Sequence, residues 1–487
     1  MSSIINTSSS NATTTHEFKQ SLGLLDATMI VVGSMIGSGI FIVSADITRN
    51  VGSAGWLILV WILTGVLTLT AALSYGELSG MYPKAGGQYV YLKEAFNPLV
   101  GFLYGWSFFA VIQAGSIAAV GVAFAKFTAY IFPALGERRI LLEIGGLRVS
   151  AAQLTSILLI VVLTWINSRG VKEGKWIQTI FTLTKIVALA GLVIFGFILA
   201  ARYDVTAANW SNGFKLGRLD SGAILPYTGM AALGAIAGSM VGSLFSSDSW
   251  NNVTFIAGEI KHPQRNIGLS LFLGTLIVTI IYVATNLMYI CVMPMQAIAT
   301  AENDRVGVAA SQLIFGAQGT IVIAILLMIS TFGCNNGLIL SGARVYYTMA
   351  KDGLFFRQAG ALNKHAVPAK ALWMQCLWAS LLCLSGKYGE LLDYVIFVVL
   401  IFYILTILGI FRLRRKKPDL PRPYKAFGYP VLPAMYVVLA SCICLLLLIY
   451  KPKYTWPGLG IVLTGIPLYY FLRGRAISSR PPRYDID

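Results

Sequence analysis

The chain has 487 residues, of which 56% are hydrophobic and only 12% are charged, and it carries a formal net charge of +17. A soluble domain has about 25% charged residues, so half that share, with a mean hydropathy of +0.72, excludes an ordinary soluble protein. The positive charge does not indicate nucleic-acid binding, because lysine and arginine collect in the cytoplasmic loops of membrane proteins. The composition therefore predicts an integral membrane protein.

Twelve apolar segments follow one another along the chain, and each is predicted to be a membrane-spanning helix. Residues 1–20 precede them and are rich in serine, threonine and asparagine, so they predict a flexible cytoplasmic tail and not a cleaved signal peptide. Residues 474–487 predict a second cytoplasmic tail. The predicted spans are 22–47, 54–79, 99–131, 150–168, 177–200, 227–257, 268–293, 308–343, 371–386, 390–411, 430–450 and 455–473.

The distribution of the 37 lysine and arginine residues predicts the orientation of these spans. Most of them fall in segments that face the cytoplasm if the N-terminus does, and this bias indicates that both termini are cytoplasmic. The densest basic stretch, RLRRKKPDLPRPYK, belongs to a predicted cytoplasmic loop over residues 412–429. We interpret it as a solvated loop that faces anionic lipid and not as a specific binding site.

The first and sixth spans are each interrupted by small and polar residues. GSMIGSGIF covers residues 33–41, and AGSMVGSLFSSDSWNN covers residues 237–252. Each glycine in a helix interior costs about 1 kcal/mol relative to alanine, and a break in hydrocarbon frees backbone groups that must find partners. Breaks at corresponding positions of two repeats indicate a transporter site, because the free N–H groups of one half-helix suit a carboxylate and the free carbonyls of the other suit an ammonium. Close helix packing through Gly33 and Gly37 is the alternative, but it explains only the first break.

Four motifs, in order along the chain, resemble the amino acid–polyamine–organocation (APC) transporter superfamily, and within it bacterial relatives of the L-type amino acid transporter family. The resemblance implies an all-α LeuT-type fold with inverted five-helix repeats over residues 21–200 and 201–411, helices 1 and 6 unwound at mid-membrane, and two accessory transmembrane helices over residues 430–473. It also implies a plasma-membrane transporter that works by alternating access around a central amino acid site. The motifs are GSMIGSGIF, SYGELSGMYPKAGGQYVYLKEAFNPLVGFLYGW (residues 74–106), FSSDSWNNVTFIAGEIKHPQRNI (residues 245–267) and SGARVYYTMAKDG (residues 341–353).

The resemblance further assigns the substrate site to the two breaks. It implies that the substrate carboxylate meets backbone N–H groups around Gly37, Ser38 and Gly39. The α-ammonium meets backbone carbonyls near Met35 and on the first half of helix six, and an aromatic residue at the position of Phe245 closes over the substrate. The substrate-binding residues predicted in this way are Met35, Ile36, Gly37, Ser38, Gly39, Val241, Phe245, Ser246 and Asp248.

Asp248 stands where several relatives of this family have glycine or another small residue. An uncompensated carboxylate at that depth would be costly. Two roles are open for it: it caps the N-terminus of the second half of helix six, or it contacts the substrate or its ammonium. The sequence therefore leaves the side-chain specificity of the site undecided.

Lys185 is an ionisable residue inside the fifth span, and such a residue is a functional candidate by default. It lies roughly 12 Å from the inner end of helix five, at 1.5 Å per helical residue. In the family, a lysine on helix five occupies the place where sodium-coupled relatives hold a cation, close to helix eight, where Ser330 and Thr331 offer hydroxyls. Two roles are open: a charged strut that fixes helix one, or a group that loads and releases a proton.

Four further charged residues lie at or near helix ends. Lys126 is near the outer end of helix three and is predicted to extend its ammonium to the membrane surface. Glu77, Glu259 and Arg344 lie at inner helix ends. We interpret them as salt-bridge partners of an inner gate or of loops, and not as substrate ligands.

The expected function is secondary transport of amino acids, with neutral L-amino acids as the first candidates. Exchange and proton symport are not separated by the sequence, whereas Lys185 argues against sodium coupling. The alternatives are a cationic amino acid or polyamine transporter, a channel, and a non-transporting amino acid sensor. No phosphate-binding loop, HExxH motif or cysteine–histidine cluster is present in the sequence, so we expect no enzyme, no cofactor and no metal site.

The resemblance also bears on protein partners. Eukaryotic relatives are joined to a heavy subunit through a cysteine in the loop between helices three and four. The corresponding loop here, Pro133 to Val149, has no cysteine. No disulfide-linked heavy subunit is therefore implied, and the expected partners are an amino acid substrate and membrane lipids, not nucleic acid.

Overall fold

The structure, a computed structural model, describes residues 20–144, 147–385 and 388–478. The first predicted tail lies outside these ranges apart from Gln20. The second is described only as far as Ser478, and up to that residue it continues the last helix. The helix thus runs past residue 474, while the part of it with the length and composition of a membrane span ends at Arg473, so the tail boundary at residue 474 stays a prediction.

Within the described ranges the chain is almost entirely helical, as the composition predicts. The helices are α1 (Leu24–Met35), α2 (Gly39–Val51), α3 (Ala54–Met81), α4 (Gln88–Ala95), α5 (Pro98–Ser107), α6 (Gln113–Ile131), α7 (Ala151–Arg169), α8 (Val171–Phe195), α9 (Tyr203–Ser211), α10 (Met230–Ser246), α11 (Asn252–Phe255), α12 (Pro263–Val292), α13 (Met295–Ala299), α14 (Val306–Lys351), α15 (Ala369–Ser385), α16 (Tyr388–Lys416), α17 (Val431–Tyr450) and α18 (Pro452–Ser478).

Short elements connect or extend these helices. Two hairpins pair antiparallel strands: β1 (Ile140–Ile144) with β2 (Leu147–Ser150), and β3 (Gly217–Asp220) with β4 (Ala223–Pro226). π-Helical turns join α5 to α6 and extend α8. These turns are Phe108–Ile112 and Gly196–Ala200, and 3₁₀ turns cover Pro133–Leu135, Ala257–Glu259, Glu302–Asp304 and Arg357–Gly360.

Most of the long helices have the length and composition of membrane spans. In the described ranges, nine helices meet both criteria, and α1 and α2 together form a tenth span that bends by 41° at its break. The helices α10 and α15 are apolar but shorter, and they occupy the places of the predicted sixth and ninth spans. An all-α membrane fold is thus confirmed, while the number of twelve crossings stays a prediction.

The eighth predicted span is longer than the sequence indicates. It ends at residue 343 in the prediction, but α14 continues to Lys351 because its last two turns are still buried, with Arg344, Tyr346 and Met349 among the buried residues. Near its start, Gly316 has φ +70° and marks a kink between two helical pieces. A residue with a side chain is strained at that φ, so glycine suits the kink.

The first four predicted spans of each chain half pack against each other in matching pairs. The first predicted span contacts the sixth through α2 and α10, and the second contacts the seventh through α3 and α12. The third and eighth meet through α6 and α14, and the fourth and ninth through α7 and α15. Such pairing is expected of two structurally related repeats, although the repeat boundaries at residues 200 and 411 stay predictions.

The basic loop between α16 and α17 is exposed on one side, as predicted, but its other side is folded onto the bundle, which the sequence did not indicate. Arg414 donates to both carboxylate oxygens of Glu77 at 3.0 and 2.7 Å, and the Ala426 N–H donates to the same group at 2.7 Å. Arg422 donates to four backbone carbonyls, including those of Leu413 and Lys417 near the end of α16. A buried carboxylate needs such partners, and Glu77 is fully buried. We call residues 412–429 the basic clamp.

Candidate functional site

The two helix breaks predicted from the sequence lie side by side in the structure. The first separates Met35, the last residue of α1, from Gly39, the first residue of α2. The second separates Ser246 at the end of α10 from Asn252 at the start of α11. A Cβ atom on Gly39 would lie 1.9 Å from the Ser246 hydroxyl oxygen and 3.0 Å from its Cα. Glycine is therefore required at position 39 for the breaks to approach this closely.

Tyr282 of α12 joins the two breaks, and sequence reasoning missed it. Its hydroxyl lies 3.0 Å from the carbonyl oxygen of Met35 and 3.0 Å from that of Ser246. A tyrosine hydroxyl has one hydrogen, so it donates to one of these carbonyls at a time. The carbonyl ends of both broken helices thus converge on one buried point, where an additional donor such as an ammonium would find acceptors.

The predicted substrate residues fall into two groups around this point. Those from Met35 to Gly39 form the first break, and Phe245, Ser246 and Asp248 border the second. Val241 lies about one turn earlier on α10 and borders a larger cavity. All of them are buried. The Ser246 hydroxyl donates to the Gly242 carbonyl at 2.7 Å, so the side chain serves its own helix.

Asp248 is held at the end of α10 and not at the start of α11. Its backbone N–H donates to the Phe245 carbonyl at 3.1 Å, and its carboxylate accepts a hydrogen bond of 2.6 Å from the Tyr403 hydroxyl. The residue at the N-cap position of α11 is Asn251. The predicted N-cap role is therefore wrong, because the unwound segment is long enough to separate Asp248 from the second half-helix.

Two small cavities flank the pair formed by Asp248 and Tyr403. One, of about 20 Å³, lies towards Trp250 and Tyr436. The other, of about 10 Å³, lies towards carboxamide side chains, those of Gln88, Gln113, Asn251 and Asn252. Each volume corresponds to about one water molecule. The Asp248 carboxylate thus has carboxamide groups on one side, whereas the cavity on its other side is lined mainly by apolar side chains.

Lys185 fixes the last turn of α1. Its ammonium is buried and donates to the carbonyls of Gly33 and Ile36, both at 2.7 Å. From the opposite helix, the Cys334 thiol donates to the Ser34 carbonyl at 3.1 Å. A Cβ on Gly37 would lie 2.9 Å from that sulfur atom. The carbonyl groups freed by the first break therefore have partners on both α8 and α14.

The two predicted hydroxyls of helix eight do not reach Lys185 in the structure. Thr331 donates to the carbonyls of Leu327 and Met328 within its own helix, both at 3.0 Å. The Ser330 hydroxyl is buried and has no partner among the described atoms. Threonine hydroxyls in helices bond readily to the preceding turn. On α14 it is Cys334, which the sequence did not indicate, that reaches the first break.

A cavity of about 390 Å³, which we call the outer cavity after the predicted orientation, opens between α2, α10 and α16. Val43, Val241 and Gly242 lie at its wall near the breaks. Ion pairs line its mouth, with Arg49 to Asp304 at 2.7 Å and Lys451 to Asp393 at 2.7 Å. Lys126 borders this cavity and a neighbouring one of about 460 Å³. The breaks are therefore approached from the end of the bundle where α2 ends and α10 begins.

The opposite end of the bundle is closed by buried polar contacts. Leu22 and Ile260 form a parallel bridge, and the N–H groups of Ser21 and Leu22 donate to the Glu259 carbonyl at 2.9 and 3.0 Å. The Glu259 carboxylate pairs with Arg344 at 3.2 Å, with Arg344 fully buried. Arg344 also donates to the Leu340 carbonyl. The predicted salt-bridge roles of Glu259 and Arg344 are confirmed, and Glu77 pairs with the basic clamp.

Within the described residues, no group of three or more histidine, cysteine, aspartate or glutamate side chains is arranged to hold a metal ion. The chemistry that the site offers is that of backbone carbonyls, helix ends, a lysine and one carboxylate. Such groups bind and orient a polar ligand.

Comparison with known proteins gives a consistent result. The family model for amino acid permeases matches residues 22–471. The large neutral amino acids transporter small subunit 2 of Mus musculus is 31% identical over 454 residues, which cover 93% of this chain and 81% of the mouse protein. The b(0,+)-type amino acid transporter 1 of Homo sapiens is 29% identical over 94% of this chain and 88% of its own length.

The Asc-type amino acid transporter 1 of Mus musculus is a further relative, 29% identical over 93% of this chain and 81% of the mouse protein. The match to the family model runs through both helix breaks, the pair of Glu259 and Arg344 and the basic clamp, so it covers every part of the site described above. With the family model spanning the chain from Leu22 onwards, the protein belongs to the amino acid permease family of the APC superfamily.

Proposed function

We propose that the protein is a secondary transporter that binds an amino acid between the α1–α2 and α10–α11 breaks and moves it by alternating access. The observation that carries this proposal is the convergence of the Met35 and Ser246 carbonyls on the Tyr282 hydroxyl, beside the N-terminus of α2. Carbonyls attract an ammonium and a helix N-terminus attracts a carboxylate. A zwitterionic amino acid matches both ends of this arrangement.

The names of the relatives support amino acids as the cargo, and one of them names large neutral amino acids. We therefore propose neutral L-amino acids as the first candidates. A cationic amino acid or polyamine is the second candidate, and the buried carboxylate of Asp248 favours it. A ligand with a second ammonium would compensate that charge.

We propose that Lys185 acts as a strut that holds the end of α1 in place. Support comes from its two short hydrogen bonds to the Gly33 and Ile36 carbonyls, which leave one hydrogen of the ammonium for other partners. A strut fits an exchanger, in which no proton needs to move. A proton-coupled cycle would instead require Lys185 to release these carbonyls once per turnover.

The orientation in the membrane is also a proposal. The inner contacts are closed and the outer cavity is open, which fits a state that receives substrate from outside if both termini are cytoplasmic. The inverted repeats over residues 21–200 and 201–411, the accessory helices over 430–473 and a plasma-membrane location belong to the same proposal.

We also propose that no heavy subunit is linked to this chain by a disulfide in the loop between helices three and four. One relative is named a small subunit, a word that implies a second subunit for that protein. The loop from Pro133 to Val149 lacks cysteine here, and this argues only against a disulfide at that loop. Size measurement of the native membrane complex with and without reductant tests this proposal directly.

Transport by purified protein in proteoliposomes tests the main proposal. Vesicles are prepared with or without internal unlabelled amino acids, and uptake of labelled neutral and cationic amino acids is followed with and without an inward proton gradient. Uptake that requires internal amino acid and ignores the gradient means exchange. Gradient-driven uptake into empty vesicles that Lys185→Ala uncouples means proton symport and overturns the strut.

The same vesicles separate the remaining alternatives. Asp248→Asn is expected to abolish uptake of cationic amino acids selectively if Asp248 contacts the cargo, and to affect all cargoes alike if it does not. Flux without saturation means a channel. Saturable amino acid binding without any flux means a sensor and contradicts the transporter proposal.

A further inference from the structure

The basic clamp divides its positive charges into two groups. Arg414, Lys417 and Arg422 are directed inwards: Arg414 and Arg422 pair with Glu77, and Lys417 pairs with Glu94 at 2.7 Å. A second group is exposed, and within the described ranges none of its members forms an ion pair. This group, the outer cations, consists of Arg412, Arg415, Lys416 and Lys425.

The clamp has a defined shape that presents the outer cations. Its chain packs into a groove of small residues on α3, where a Cβ on Gly76 would lie 2.8 Å from the Tyr424 ring. The Arg414 guanidinium lies 3.6 Å from the centre of the Tyr429 ring. Because Glu77 pairs with Arg414 and Arg422, the outer cations belong to a segment that is fixed to the bundle, and one of them, Arg412, also lies over the Phe96 ring at 5.2 Å.

The outer cations stand at the end of exposed apolar helix faces. On α16, Leu408, Arg412, Arg415 and Lys416 follow helical spacing on one face, and Leu408 is 38% exposed. That face therefore changes from apolar to cationic at its last two turns. Such a change is typical of the level where lipid tails give way to headgroups.

The neighbouring helix α17 shows the same change between cationic and apolar residues, with the cationic clamp before its start and the apolar face after it. Val431 at its start is 69% exposed and Val438 further along is 60% exposed, so an apolar face begins directly after the clamp. Phe427 within the clamp is 67% exposed and follows Lys425 by two residues in the chain. Asp419 is the one acidic residue of the clamp, so the exposed surface is strongly cationic.

We propose that the outer cations form a docking surface for the headgroups of anionic phospholipids in the surrounding membrane, and that bound headgroups hold the clamp against α3. The apolar faces of α16 and α17 select a lipid over a soluble anion, because acyl chains and headgroup are engaged together. Lipid bound on this surface stabilises the same segment that Glu77 holds by ion pairs. The fraction of anionic lipid in the membrane therefore changes the stability of the inner end of the bundle.

Lipid retention measured by native mass spectrometry tests this surface without any need for transport. Purified protein is supplied with phosphatidylglycerol or phosphatidylcholine. Wild type is expected to retain phosphatidylglycerol preferentially, and each cation removed is expected to weaken retention by up to about fivefold. The test variant carries Arg412→Gln, Arg415→Gln, Lys416→Gln and Lys425→Gln.

The matched control removes four exposed cations of the same predicted inner side that lie outside the clamp, through Lys84→Gln, Arg265→Gln, Lys364→Gln and Lys370→Gln. It is expected to retain phosphatidylglycerol as wild type does. A charge-conserving variant, Arg412→Lys with Arg415→Lys, is expected to keep most of the retention, which separates loss of charge from loss of fold. Thermal unfolding of every variant is measured alongside.

Three results would overturn the proposal. The test variant retains phosphatidylglycerol like wild type, or the control variant loses it equally, or soluble glycerol phosphate displaces the lipid at equal concentration, which would mean a general anion site. In vesicles, raising the phosphatidylglycerol fraction should accelerate uptake by wild type and by the control, but not by the test variant. Failure of transport in all variants would count against the proposed function and leave the retention result intact.

Discussion

Gly39 and Ser246 bring the two helix breaks into close contact. A Cβ on Gly39 would overlap the Ser246 hydroxyl and press on its backbone, so Gly39→Ala is expected to force the breaks apart. Overpacking of this kind costs about 1–3 kcal/mol. We expect a lower unfolding temperature in detergent and a large loss of amino acid uptake, with partial recovery when Ser246→Gly is added.

Gly191→Ala is the matched control for this substitution. Gly191 also lies inside a helix, α8, but a Cβ there meets only Phe195 at an ordinary 4.0 Å. Alanine has the higher helix propensity, so the control is expected to be neutral or slightly stabilising. If Gly39→Ala and Gly191→Ala had the same unfolding temperature and uptake, contact between the two breaks would not be the reason for glycine at position 39.

Tyr282 supplies the hydroxyl shared by the Met35 and Ser246 carbonyls. Tyr282→Phe keeps the ring, which packs edge-on against Trp61 at 5.2 Å, and removes only the donor. A buried carbonyl without its donor costs about 1–3 kcal/mol, so we expect KM for uptake to change by about tenfold with a smaller effect on unfolding. Tyr346→Phe is the control, because the buried Tyr346 hydroxyl has no partner among the described atoms. Similar KM changes in both variants would argue against a special role for Tyr282.

At the scale of elements, the sequence was informative wherever a local pattern had a direct physical cost. The glycines and serines of the two breaks could be read from residues 33–41 and 237–252, because small residues inside apolar helices need an explanation. Lys185 was found for the same reason, as a charge in hydrocarbon. These signals need no knowledge of which helix lies opposite.

What the sequence did not predict depends on contacts between distant segments. Tyr282 and Tyr403 look like ordinary aromatic residues of apolar helices, and only the packing of α12 and α16 brings their hydroxyls to the breaks. The family resemblance indicated Ser330 and Thr331 on helix eight, whereas in the structure Thr331 bonds to its own helix and the Cys334 thiol reaches the first break. The inward pairing of the basic clamp could not be predicted, because its partner, Glu77, is more than 300 residues away in sequence.

The inner ion pair between Glu259 and Arg344 joins the segment after α11 to α14. Removing one partner of a buried pair leaves the other uncompensated and costs about 3–5 kcal/mol. Arg344→Ala is therefore expected to destabilise the closed inner end, seen as a lower unfolding temperature and faster leak of preloaded amino acid. The double variant with Glu259→Ala should recover part of the loss, because no charge is left unpaired.

An exposed ion pair serves as the comparison for this experiment. Arg148 and Glu143 lie 2.7 Å apart on the first hairpin, with 68% and 54% of their side chains exposed. Arg148→Ala is expected to change stability by less than about 1 kcal/mol. If Arg344→Ala were equally mild, or if the double variant were worse than the single one, the pair would not be what closes the inner end.

For the whole molecule, the open outer cavity and the closed inner end define one state of a two-state cycle. Gly238 borders the outer cavity and has room for a side chain, since a Cβ there meets only the Lys451 side chain at 3.6 Å. Ala257 is fully buried beside the inner ion pair. Gly238→Cys should react with an impermeant thiol reagent applied outside, whereas Ala257→Cys should be protected from both sides until amino acid is present.

This labelling experiment uses a background in which the six native cysteines are replaced, with Cys334→Ser to keep the hydrogen bond to the Ser34 carbonyl. Lys364→Cys is exposed at the inner end and reports full access from that side. A ligand shifts an equilibrium only by its differential affinity for the two states. Added amino acid should therefore raise inner labelling of Ala257→Cys towards that of Lys364→Cys and lower outer labelling of Gly238→Cys in the same proportion. Labelling of both positions without amino acid would mean a continuous pore, and reciprocal change is the result that only alternating access produces.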